Sequence, residues 1–344
     1  MNSMSGKRLV WADALKGVLI ILVVLGHSIQ ASMIKLEISF IDDYLWNLIY
    51  SFHMPAFIAV SGFLAFRKTV VGGGKNEWAS FAWRRLRQLI IPFLLWSVAL
   101  FFVNHNVTHY YDYMLYPQRS LWFLWALFFI AIIFAGVDII AVRLKVKQEL
   151  AMLICWLLLV VCMFLMPDAK LLGVEYVTYY FLYYLLGYYM NKYSEKLIIK
   201  NNWIIALLGI VWFAFGSIYS TQGLPKELQF IPMVPHSALY MVYRMLTAVI
   251  AIFFLFGLGI KLIDEDKGTT ALFVKLGQVS LGIYAIHMVL RFRLVDLIII
   301  LLPSVGYWPV MIATFCSLLP ISYGIIWLLS RSDITSTLLL GKIK

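Results

Sequence analysis

The stretch that decides the fold is Ala14-Leu15-Lys16-Gly17-Val18-Leu19-Ile20-Ile21-Leu22-Val23-Val24-Leu25-Gly26-His27-Ser28-Ile29-Gln30-Ala31-Ser32-Met33-Ile34. Lys16 is its only formal charge. Wound as an α-helix, the stretch is about 31 Å long, enough to cross the hydrocarbon core of a bilayer. It lacks a small-residue cleavage site and contains a histidine, so it is expected to stay as a span and not to be removed as a signal peptide. The rest of the chain has the same character. Of 344 residues, 63% are hydrophobic and 13% charged, against about 45–50% and about 25% in soluble domains. This composition excludes a soluble globular protein, a disordered chain and a coiled coil.

The apolar runs predict an all-α integral membrane protein of about ten transmembrane helices, forming one membrane-embedded domain over residues 1–344. The expected spans are 14–34, 46–66, 86–104, 121–142, 149–166, 176–193, 203–221, 238–263, 272–290 and 308–330. The stretch 291–306 is apolar but short and holds Pro303 and Gly306, so it reads as a re-entrant or interfacial segment. Sorting the basic residues tests this order. With the N-terminus inside, roughly three-quarters of the 28 Lys and Arg residues fall in alternate, cytoplasmic loops. Both termini are therefore expected to be cytoplasmic. The net charge of +11 is then a topology signal and not a nucleic-acid footprint. Cys155, Cys162 and Cys316 lie in apolar runs without metal-ligand spacing, and read as buried free thiols. Gly72-Gly73-Gly74 lacks the spacing of a phosphate loop and reads as a flexible link. Asn106-Val107-Thr108 fits a glycosylation acceptor only in a eukaryotic host.

Polar side chains inside spans are costly and should face a cavity or a partner. In the first span Lys16 and His27 are 11 residues apart, hence about 20° apart on one face and roughly 16 Å apart along the axis. Asp13 lies one turn below Lys16 and can pair with it. In the second span His53 and Pro55 predict a kinked helix beside a cavity, and Ser61-Gly62 permits close backbone approach. Arg84-Arg85-Leu86-Arg87 precedes the third span; as a helix N-terminus it would suit phosphate. Ser280, Tyr284, His287 and Arg291 form a second polar face in the ninth span. Arg244 in the eighth span needs a carboxylate, helix-end carbonyls or an anion. Tyr176, Tyr179, Tyr180, Tyr183, Tyr184, Tyr188 and Tyr189 could line a polar cavity or stack on sugars. Each feature also has a bland explanation, as an interfacial ion pair, a packing kink, a topology signal or an interhelical seam.

Taken together, the motifs resemble the acyltransferase type 3 family, integral membrane acyl-CoA-dependent O-acyltransferases of glycans and lipids. The resemblance is nearest to the branch of fucose 4-O-acetylase-like and polysaccharide acetylases. It rests on Asp13-Ala14-Leu15-Lys16-Gly17 with Val23-Val24-Leu25-Gly26-His27-Ser28, and on Phe52-His53-Met54-Pro55-Ala56-Phe57 with Ser61-Gly62-Phe63. It continues through Arg85-Leu86-Arg87 before Pro92, Leu121-Trp122-Phe123-Leu124, and Ser280-Leu281-Gly282-Ile283-Tyr284-Ala285-Ile286-His287. The family's basic-x10-His pattern falls on Lys16 and His27, with Lys where Arg is common. Its Arg-x-Arg pattern, associated with acyl-CoA, falls on Arg85 and Arg87.

What the resemblance implies is acyl transfer, most simply acetyl from cytoplasmic acetyl-CoA, to a hydroxyl of a cell-surface glycan or lipid-linked saccharide. His27 is expected to be the general base, with Asp13 and Lys16 organising the lower cavity. Arg84, Arg85 and Arg87 are expected to hold the phosphates of CoA. His53, Ser61, Trp122, Arg244, Tyr284 and His287 are candidates for acceptor binding or oxyanion donation. No metal is expected. The setting implied is a bacterial inner membrane, with a homo-oligomer or polysaccharide-assembly proteins as further partners. The competing readings are a transporter of a glycan intermediate or small anion, which also needs buried charges and broken helices, and a scaffold subunit of a polysaccharide synthase.

Overall fold

A computed structural model describes residues 9–66, 75–104, 107–194, 201–229, 235–262 and 270–342. The Gly72-Gly73-Gly74 link and Asn106 lie outside the described residues. Among the described residues the chain is helical, with no β-strand. The order is α1 (Val10–Lys35), α2 (Tyr44–Tyr50), α3 (His53–Ala65), α4 (Lys75–Arg85), α5 (Ile91–Asn104), α6 (Asp112–Leu115), α7 (Trp122–Leu144) and α8 (Gln148–Leu165). There follow α9 (Val174–Lys192), α10 (Asn202–Ser217), α11 (His236–Leu262), α12 (Ala271–Gln278), α13 (Ser280–Leu301), α14 (Tyr307–Leu329) and α15 (Asp333–Leu340). A π-helical turn, Leu86–Ile90, joins α4 to α5.

Seven helical segments are long and apolar enough to cross a membrane, among them α1, the α2–α3 segment, α7, α8, α11 and α14. α8 carries Leu158, Phe164 and Leu165 at 63%, 79% or between exposed, which makes sense only where the surrounding solvent is apolar. α9 and α13 fall outside this set of seven, because tyrosines in one and Arg291, Arg293 and Asp296 in the other lower their hydropathy. This is a multi-pass membrane protein.

The helices depart from the expected spans at several places. α4 extends the third span backwards from 86 to Lys75, so Arg84 and Arg85 occupy a helix's last turn and not its N-terminus. The dipole argument for phosphate at that point therefore does not apply. The expected ninth span, 272–290, is broken at Val279 into α12 and α13. Residues 291–301, expected to be a separate re-entrant or interfacial segment, simply continue α13. All three cysteines are free, as expected, but Cys162 and Cys316 are exposed and Cys155 is intermediate. They sit on outward faces of α8 and α14, where thiols pass as small apolar groups. Pro55 lies in the first turn of α3, where its missing N–H costs nothing, and the chain turns at Ser51-Phe52 just before it.

The chain divides into two compact units, residues 1–60 with 193–323 and residues 61–192 with 324–344. In the first, α1 packs on α12 and α13, and α10 on α11. α1 and α12 touch backbone to backbone: a Cβ on Gly17 would land on the Phe273 carbonyl, and one on Gly277 on the Asp13 carbonyl. Only glycine fits at either place, and this close seat fixes the register of α12 along α1. In the second unit α7, α8 and α9 pack mutually, and α15 lies on α5. Gly62 gives the Tyr184 carbonyl the same kind of seat, as the Ser61-Gly62 pair predicts.

Candidate active site

In the first unit, four helices bring polar side chains to one place. α1 supplies His27 and Gln30, which are one turn apart. The end of α2 and the start of α3 supply Tyr50 and His53. α13 supplies Tyr284, His287 and Arg291, whose offsets keep them on one face. His27 and Arg291 are separated by 264 positions in sequence, yet Arg291 Nη1 lies 2.6 Å from His27 Nδ1. The same Nη1 donates to Gln30 Oε1 at 3.1 Å, and Gln30 Oε1 is 3.1 Å from His27 Nδ1. The Tyr50 hydroxyl stands 3.5 Å from that nitrogen. Ring contacts extend the cluster: His27 to His287 at 5.2 Å, Tyr50 to His53 at 4.7 Å and Tyr284 to His287 at 5.7 Å between centroids.

The donor inventory fixes the tautomers. A guanidinium only donates, so His27 Nδ1 accepts from Arg291 and the ring proton of neutral His27 sits on Nε2. A backbone carbonyl only accepts, so His287 Nδ1–H donates to Ile283 O at 2.9 Å and His53 Nδ1–H to Ile49 O at 2.7 Å. His287 is fully buried, and its Nε2 lone pair has no protein partner. The cluster thus holds a half-buried cation and three imidazoles in defined orientations. It can accept a proton and stabilise a developing negative charge.

Asp13 and Lys16 form the ion pair expected of them, at 2.7 Å. They belong to the seam where α1 meets α12, roughly 16 Å (Lys16) and roughly 21 Å (Asp13) along the α1 axis from His27, and not to the cluster. Arg244 lies over the Tyr240 ring, 5.3 Å from its centre.

The second unit holds the arginines. Phe81, Arg84, Arg85 and Gln88 line a cavity of about 270 Å³. Arg85 Nη1 donates to Gln88 Oε1 at 3.4 Å and its guanidinium covers the Phe81 ring at 5.3 Å. Among the described residues no carboxylate pairs with either arginine. Arg87 is half-buried and is not among the lining residues. Residues two apart on a helix lie on nearly opposite faces, so Arg85 and Arg87 do not face the cavity together, whereas Arg84, Arg85 and Gln88 do. Trp122 is also in this unit, stacked on Tyr176 at 4.6 Å and Tyr180 at 5.0 Å. Ser61 is half-buried there on α3.

The model of the acyltransferase domain, type 3, matches residues 9–329. The chain belongs to this family. Two curated relatives are the nodulation protein NolL of Sinorhizobium fredii, 34% identical over 140 residues, and NolL of Mesorhizobium japonicum, 30% identical over 135 residues. The matches cover 38% and 34% of this chain, and 37% and 32% of the relatives. The chain thus spans about a third of the length of the curated relatives it matches. No solved structure matches.

An acyltransferase needs a proton acceptor, an oxyanion donor and a seat for its acyl donor. Of the twelve residues picked from the sequence, His27, His53, Tyr284 and His287 come together in this acyltransferase domain. The residue sequence reasoning left without a role is Arg291. It lay on the predicted polar face of α13, but its partner is on a distant helix and no spacing rule connects them. Gln30 was visible as a polar residue of the first span and gains its meaning only from Arg291.

Proposed function

We propose that the chain is a membrane O-acyltransferase that moves an acetyl group from cytoplasmic acetyl-CoA to a hydroxyl of a cell-surface glycan or lipid-linked saccharide. The observation that carries this reading is the His27–Arg291–Gln30 cluster in a chain of the acyltransferase family. The thioester supplies an activated acyl group. Arg84 and Arg85 suit the phosphates of the donor: two guanidinium groups beside an open cavity bind phosphate oxygens with charge-assisted hydrogen bonds. His27 receives the proton of the attacking hydroxyl. His53, His287 and Tyr284 shape the wall at which the acceptor is presented. Asp13 and Lys16 support the α1–α12 seam beneath. Trp122, with Tyr176 and Tyr180, offers a flat aromatic face suited to a sugar ring. The reading includes ten spans, cytoplasmic termini and residence in a bacterial inner membrane.

The test is transfer of label from radioactive acetyl-CoA by purified protein in nanodiscs, with soluble and lipid-linked glycans as acceptors. Wild type should label a glycan. Arg84→Ala/Arg85→Ala should raise the KM for acetyl-CoA roughly tenfold or more, as lost charged hydrogen bonds require. Absence of both transfer and acetyl-CoA binding in folded wild type would replace this reading with the transporter.

A further inference from the structure

Arg291 is a cation near the middle of the cluster with no carboxylate to answer it. Among the described residues its hydrogen-bond partners are His27 and Gln30, both neutral, and its ring contact is Phe292 at 4.6 Å. Asp296, the carboxylate nearest in sequence, is taken by Lys35 at 2.7 Å. Both hydrogen bonds leave from Nη1, while Nε–H is buried with no acceptor. A guanidinium inside a membrane domain that lacks an anion is matched to one that arrives or forms. At the same time its Nη1 sits on the one lone pair of His27, so the base this reaction needs is masked.

We propose that Arg291 is a catalytic residue of the acyl transfer, donating to the thioester carbonyl oxygen as it becomes an oxyanion, and that this movement unmasks His27 Nδ1. The proposal rests on the acyltransferase reading and deepens it. At rest Arg291 holds the imidazole lone pair and His27 cannot activate a hydroxyl or a water. Once a carbonyl oxygen occupies the site, Arg291 has a better acceptor than a neutral nitrogen, because charge develops on that oxygen and not on the ring. Nδ1 is then free. The hydroxyl oxygen forms its bond to the acyl carbon, the C–S bond breaks, and the hydroxyl proton passes to Nδ1. Gln30 Oε1, 3.1 Å away, accepts that new N–H, so the imidazolium is stabilised without a change of tautomer. The thiolate leaves as the CoA sulfur and takes that proton from the His27 imidazolium, which returns His27 to its neutral form. Base and oxyanion donor are thereby coupled: the base works only when the acyl group is in place.

The test uses full-length protein in nanodiscs with acetyl-CoA and a labelled glycan acceptor. Arg291→Ala should lower kcat roughly 10²–10³-fold, the usual effect of losing an oxyanion donor, with KM for acetyl-CoA little changed. Methylguanidinium added to the medium should restore part of that kcat, which a merely structural arginine would not allow. Arg291→Lys keeps the charge and is a check on folding; it should bind acetyl-CoA normally and transfer slowly. Nitrogen NMR of ¹⁵N-histidine protein should show His27 protonated at Nε2 and unprotonated at Nδ1 in wild type. A kcat within about threefold of wild type in Arg291→Ala overturns the proposal, as does a His27 carrying its proton on Nδ1 at rest. Wild type that transfers nothing to any acceptor would defeat the acyltransferase reading itself.

Discussion

Two half-buried cations in this protein are treated in opposite ways. Lys192, at the end of α9 in the second unit, donates to Glu149 at 2.6 Å and to Gln148 at 2.9 Å. Gln148 in turn donates to the buried Asp138 at 2.6 Å and to the Tyr188 hydroxyl at 3.1 Å. Every member has a partner, and the network ties α7, α8 and α9 together. Arg291 in the first unit is given only neutral partners, and one of its N–H groups has none. A closed network of this kind specifies a packing arrangement. An open one has capacity left for something that is not part of the chain, and in a membrane domain that capacity marks function.

The largest test of the contrast is at His27, the proposed base. His27→Ala should lower transfer roughly 10³-fold, within the range general-base catalysis contributes, while the protein stays monodisperse. Full activity would place the chemistry outside the cluster. Next is Gln30→Leu, which removes the oxygen shared by Arg291 and His27. We expect kcat to fall roughly tenfold with donor affinity unchanged, as for one hydrogen bond to a charged group. A pure stability loss instead would make Gln30 another Lys192-type partner.

In the closed network the signs should reverse. Gln148→Leu leaves Asp138 without its donor and should cost about 1–3 kcal/mol of stability, read as a lower melting temperature in detergent. The protein that remains folded should keep its kcat. The smallest effect is expected at Lys35→Met. Its pair with Asp296 also links α1 to α13, but both side chains are about a third exposed, so about 0–1 kcal/mol and no change in kcat should follow. A large kinetic effect there would mean that any α1–α13 contact matters, and the contrast would lose its meaning.

Hydropathy alone placed α7, α8, α10, α11 and α14 near their observed ends, because each is a continuous apolar run bounded by polar residues. It failed where charge and helix coincide. Arg84 to Arg87 looked like a boundary, yet α4 carries the helix through them, since nothing from Lys75 onward stops it. Arg291 and Arg293 looked like the end of a span, yet α13 continues to Leu301. The two polar faces, on α1 and on α13, were legible from helical geometry. That they meet was not, because periodicity locates a face on its own helix and carries no information about which other helix it confronts. His53 and Tyr284, also picked from helical position, lie in the same cluster. Arg87 does not line the cavity that Arg84 and Arg85 line, since residues two apart point to two sides of a helix.

The π turn at Leu86–Ile90 has a genetic consequence. A π turn accommodates one residue more than an α turn and can be regarded as an insertion that the helix absorbed without breaking. Deleting one residue within 86–90 would let α4 and α5 run on as uninterrupted α-helix with the faces of α5 nearly unchanged, because the π turn already absorbs the extra residue. Arg84 and Arg85 would keep their places on α4, and Pro92 and Trp96 would keep their faces on α5. Trp96 donates its indole N–H to the Leu339 carbonyl of α15 at 2.9 Å, a bond that would be kept. A one-residue length difference between relatives at this point should therefore occur without matching changes on the surface that α15 covers, whereas one inside α5 itself would turn everything beyond it by about 100°.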